Sequence, residues 1–195
     1  MPTDFAVYYL TQPFGLMAQA GLLVVPLLIL RFVVPNAFAR LGVRRLFFGH
    51  LAVAVGVFAL SAYAAISIGR SKLELGHIQQ VEFYSWVAGN SVYLFVLAYV
   101  FALAFASLVL VPLSIWLFRS GRASVVTFAV LGIALAFCLG LLSVAFPGNE
   151  WGRTHPLELF ASTLSSLGLG ILVVCVAFAG GARLPFRTQR AHGTT

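Results

Sequence analysis

Two short polar stretches hold most of the side chains that could do chemistry. The first, 69–91, carries Arg70, Lys72, Glu74, His77, Gln79, Gln80 and Glu82 with Tyr84 and Trp86; the second, 147–156, carries Asn149, Glu150, Trp151, Arg153 and His155, and Glu158 follows it. An imidazole beside a carboxylate can serve as a general acid and base pair. His77, Glu82, Glu150, Arg153, His155 and Glu158 are therefore the candidate catalytic residues. Folded together, the same side chains would offer the nitrogen and oxygen donors that suit zinc and similar metals. Their spacing contains neither a two-histidine helical turn nor a Cys/His ligand pattern, so no metal and no cofactor is expected.

The elements that must position these stretches are apolar. Residues of hydrophobic type make up 61% of the 195 and charged ones 9%, against roughly a quarter charged in soluble domains. Five runs stand out: 14–34, 47–68, 92–118, 123–146 and 157–179. Each is long enough to cross a hydrocarbon core about 30 Å thick, which takes roughly 20 helical residues. The expected fold is all-α: a polytopic integral membrane helix bundle of five transmembrane helices, forming one transmembrane domain over 1–195 with outer loops at 69–91 and 147–156. Met1 to Pro13 contains no Lys or Arg, so the first run reads as an uncleaved span rather than a secretory signal.

Charge orients the bundle. Arg31, Arg40, Arg44 and Arg45 surround the first connection, Arg119 and Arg122 the third, and Arg183, Arg187 and Arg190 the tail; together these are nine of the twelve cationic residues. Retention of Lys and Arg on the cytoplasmic side places those three regions inside and the amino terminus outside, with the carboxyl terminus cytoplasmic. Asp4, Glu74, Glu82, Glu150 and Glu158 then fall on the outer side with Arg70, Lys72 and Arg153. This distribution explains the net charge of +7 by topology, and no nucleic-acid partner is expected. Arg-rich composition with abundant Ala, Gly, Leu and Val suggests a GC-rich genome and a bacterial cytoplasmic (inner) membrane.

Inside the spans, small residues recur every four positions: Ala98, Ala102 and Ala106; Gly132, Ala136 and Gly140; Ser162, Ser166 and Gly170. Such stripes let helices approach closely in lipid, where no hydrophobic force brings them together. A stripe unused within the bundle would dock a membrane-protein partner. Pro26 and Pro112 interrupt two spans, each removing a backbone donor. They also align two similar segments, Leu22 to Phe32 (LLVVPLLILRF) and Leu108 to Phe118 (LVLVPLSIWLF), which with Phe48 to Ala65 and Phe128 to Ala145 suggest a duplicated two-helix unit. No Asp or Glu lies in the interior of a span, and His50, beside the first arginine cluster, is expected at the interface. Cys138 and Cys175 read as unpaired core residues.

Intramembrane ionisable groups usually mark ion or proton routes, and their scarcity favours a non-catalytic accessory, assembly or immunity-type component that works through helix packing and the outer loops. The lipid bilayer and a membrane-protein partner are its expected contacts. A small transporter or channel is the alternative, motivated by the two prolines and the repeat. An outer-face enzyme acting on a lipid-linked substrate is the third reading.

Overall fold

The computed structural model describes residues 42–148 and 150–186, with the single positions Leu28, Arg31, Phe32 and Pro35. Five continuous helices follow one another: α1 (Val43–Glu74), α2 (Phe83–Arg119), α3 (Val125–Ala145), the short α4 (Glu150–Thr154) and α5 (Pro156–Gly181). All regular structure among the described residues is helical. Four of the five, α1, α2, α3 and α5, are long and apolar enough to cross a membrane. The run 14–34, with Pro26 and the first copy of the repeated segment, lies outside the described residues apart from Leu28, Arg31 and Phe32.

α1, α2 and α5 overrun the apolar runs from which they are read, whereas α3 stays within 123–146. At about 1.5 Å per residue, the 32 residues of α1 reach about 48 Å, well beyond a hydrocarbon core of about 30 Å. Arg70, Lys72 and Glu74 therefore belong to α1, and Phe83 to Ser91 belong to α2. Only 75–82 connects the two helices, so most of the expected loop 69–91 is helical and the connection is the tight turn of a hairpin.

Two helix ends close in the same way. His77 N–H bonds to Lys72 O at 2.9 Å and Gly76 N–H to Leu73 O at 3.0 Å, with Gly76 at φ 71°. Arg122 N–H bonds to Leu117 O at 2.9 Å and Gly121 N–H to Phe118 O at 3.2 Å, with Gly121 at φ 67°. Both are Schellman ends, which capture orphan carbonyls by placing a left-handed residue just past the helix. At the start of α3, Ser124 accepts from Thr127 N–H at 3.1 Å. The orphan N–H groups of Val125 and Val126 donate to Pro185 O and Phe186 O, at 2.9 and 3.2 Å, so the segment after α5 is stitched to the start of α3.

Packing runs α2, α1, α5, α3. All three contacts are antiparallel, since Gly69 meets Val87, Gly49 and Gly56 meet Phe178 and Val173, and Gly132 and Gly140 meet Leu172 and Phe160. α3 pairs with α5 rather than with α2, its neighbour in sequence, so the second proposed two-helix unit is not a hairpin. Phe178 is fully buried where α1, α3 and α5 meet, with its ring 6.1 Å from that of Phe128 and 5.6 Å from that of His50.

This arrangement separates the charges by end. Arg44, Arg45, Arg119, Arg122 and Arg183 gather at one end of the bundle, while Arg70, Lys72, Glu74, Glu82, Glu150, Arg153 and Glu158 lie at the other.

Candidate functional site

The six candidate catalytic residues sit at two stations on the glutamate-bearing end, and all six are exposed. His77 and Glu82 occupy the α1–α2 turn. Glu82 is spent on that turn, its Oε2 accepting from Gln79 N–H at 3.4 Å and its carbonyl from Ser85 Oγ–H at 2.8 Å. Nearby, the Lys72 ammonium lies 5.0 Å from the Trp86 ring centroid and Gly69 lets Phe83, Trp86 and Val87 close on α1, which pins the hairpin. Glu150, Arg153, His155 and Glu158 form the second station, around α4 and the first turn of α5.

His155 is held locally. Its ring stacks on Trp151 at 5.3 Å and 14°, and its Nδ1 is 2.8 Å from Thr154 Oγ1. Glu158 lies in the first turn of α5, where the helix dipole favours negative charge. Among the described residues no group of three or more His, Cys, Asp or Glu is placed to hold a metal.

The polar pair that sequence reading missed is inside the bundle. His50 is only 4% exposed, because it points from α1 between α2 and α5. Its Nδ1 lies 2.8 Å from Leu46 O and its Nε2 3.2 Å from Ser107 Oγ. A carbonyl can only accept, so Nδ1 carries the proton; in the neutral ring Nε2 then accepts from the Ser107 hydroxyl. This ties α1 to α2.

Ser107 sits in a π turn, Ala106–Leu110, closed by the bond from Val111 N–H to Ala106 O. Pro112 follows directly and has no N–H to offer Leu108 O, so the widened turn is the local response to the proline. α5 carries a second π turn, Leu164–Gly168, without a proline. There Ser165 and Ser166 both donate to Ser162 O, at 3.1 and 2.7 Å, a back-bonding pattern that bends helices. Thr163, next to it, reaches α3 through Ser143 Oγ at 3.1 Å.

The three small-residue stripes have different fates. Gly132, Ala136 and Gly140 are all buried against α5, where Leu172, Gly168 and Phe160 fill the space. In α2, Ala106 and Ala102 are buried but Ala98 is exposed. In α5, Ser162 and Ser166 are exposed and Gly170 is half-buried. Ala98, Ala102, Ser166 and Gly170 line an apolar groove of about 460 Å³ between α2 and α5, floored by Val57 and Ser61 of α1. Phe101 and Leu167 stand at its edges, 75% and 62% exposed.

Fold and groove together define a helical chain with, among the described residues, four membrane-spanning-capable helices and a lateral cleft between α2 and α5. Comparison with protein families, curated proteins and solved structures finds no match to this chain.

Proposed function

We propose that the chain is a non-catalytic multi-pass component of a bacterial cytoplasmic membrane, and that it works by seating a transmembrane helix of a second polypeptide in the α2–α5 groove. In this reading residues 14–34 supply a fifth span, the amino terminus is outside, and the arginine-bearing end with the carboxyl terminus is cytoplasmic. The observation that carries the proposal is the lining of the groove: Ala98, Ala102 and Gly170 place small side chains where an incoming backbone can come close. Gly170 has room, since a Cβ there would meet only Leu60 Cδ2 at 4.0 Å. Ala98→Leu with Gly170→Leu would fill the cleft from both walls. Purification in mild detergent should then lose a stoichiometric partner that the parent chain retains. Solute transport or substrate turnover by the purified chain alone would overturn the proposal.

A small transporter or channel is the second reading, favoured by the two π turns. One presents Ser107 to His50 and the other supplies Ser166 and Leu167 to the groove, and π turns recur at sites where helices change shape for function. Proteoliposome flux abolished by locking α2 to α5 would favour it over a docking role.

A further inference from the structure

At the arginine-bearing end a second groove, about 540 Å³, runs between α1 and the last turn of α5. Phe48, Leu51 and Val55 line it from α1, with Gly180, Gly181 and Arg183 from the end of α5. From Phe48 to Val55 it covers about two helical turns, or about 10 Å at 1.5 Å per residue.

Arg183 is placed there against the preference of its own backbone. α5 ends as α1 and α2 do, with Leu184 N–H on Ala179 O at 3.1 Å and Arg183 N–H on Gly180 O at 3.0 Å. The left-handed position that Gly76 and Gly121 fill in those helices is here an arginine, at φ 54°. A side chain disfavours that conformation. The guanidinium carbon lies 5.9 Å from the Phe48 ring centroid, and that of Arg44, from the first turn of α1, lies 5.7 Å from the same centroid. Two cations thus share one ring. The described residues of this end include Arg45, Arg119 and Arg122 as well, and no Asp or Glu. An anionic ligand would complement this charge.

We propose that this corner binds a single anionic phospholipid, its phosphate held by Arg183 and Arg44 beside Phe48 and one acyl chain laid along Leu51 and Val55. Guanidinium groups match phosphate oxygens in pairs, and the apolar walls distinguish a lipid from a soluble phosphate. Gly180 leaves the slot open among the described residues: a Cβ there would meet none of their atoms within 4 Å, whereas one on Gly181 would strike Phe48 O.

The test is native mass spectrometry of the full chain released from micelles containing phosphatidylglycerol or phosphatidylcholine with identical acyl chains. Phosphatidylglycerol should be retained about tenfold better, and excess glycerol 3-phosphate should not displace it. Arg183→Gly should remove about tenfold of that retention while the thermal midpoint stays level or rises, because glycine accepts the left-handed backbone. Gly180→Leu should lose retention by blocking the slot. Equal retention of the two lipids, retention unchanged in both variants, or displacement by glycerol 3-phosphate would overturn the proposal. So would a disulfide between Val55→Cys and a cysteine placed in 14–34, which would assign the groove to the first apolar run of the chain itself.

Discussion

Gly180 and Gly181 are adjacent in sequence and should respond oppositely to the same change. A Cβ on Gly181 would collide with Phe48 O and would lie 2.5 Å from Ala52 Cβ. Restoring a carbon contact of about 3.5 Å requires α1 and α5 to part by about 1 Å, or the end of α5 to rotate away from α1. Overpacking of this kind costs about 1–3 kcal/mol. A Cβ on Gly180 would meet no atom of the described residues within 4 Å, so alanine there only removes the entropic penalty of a helical glycine, a gain of up to about 1 kcal/mol. The two variants should therefore differ by about 1.5 kcal/mol or more. Reversible unfolding of the full chain by dodecyl sulfate in mixed micelles, followed by circular dichroism, reads the difference directly. Equal stabilities would refute the close approach of α1 and α5 and with it the order of helices in the bundle.

Other contacts make further tests. Gly132→Cys in a Cys138→Ala background should form a disulfide with the native Cys175, because a Cβ at 132 would lie 3.3 Å from Cys175 Cβ, close to the roughly 3.8 Å of real disulfides. Protection of both thiols from alkylation after mild oxidation is the expected result, and two free thiols would contradict the α3–α5 register. Ser107→Ala should cost about 1 kcal/mol by leaving His50 Nε2 without its donor, and Ser107→Thr should recover part of it. An unchanged unfolding midpoint in the alanine variant would show that the α1–α2 tie carries no stability. His77→Ala combined with His155→Ala should leave partner retention unchanged, as measured by co-purification, since both residues are exposed at the two stations of the glutamate-bearing end, away from the groove.

Helical class and spanning capacity were legible because long apolar runs with 9% charge admit little else. Helix ends were less so. Hydropathy falls where the hydrocarbon stops, but the backbone of α1 keeps its hydrogen bonds through Arg70, Lys72 and Glu74. The face of His50 was not read either, because its proximity to Arg44 and Arg45 says nothing about whether it turns into the bundle. A signal was available: Val57, Ser61, Ala65 and Gly69 recur every four residues and, with His50 and Val53, form the buried stripe of α1. Pro112 revealed a missing donor but not that the helix would answer with a π turn, because either a kink or a widened turn can accommodate the ring. The small-residue stripes were visible as patterns, whereas only the packing separates the one consumed between α3 and α5 from the positions left facing the groove. The local partners of the candidate His and Glu residues, Trp151 and Thr154 for His155 and Gln79 for Glu82, depend on turns that composition does not specify.

The most direct test of the docking role is site-specific photocrosslinking in native membranes, with a photoreactive residue at Phe101, Leu167 or, as the control on the outward face of α3, Ile133. A helix seated in the groove predicts one discrete polypeptide adduct shared by Phe101 and Leu167, absent at Ile133 and lost when Ala98→Leu narrows the cleft. Lipid adducts alone at all three positions would contradict it.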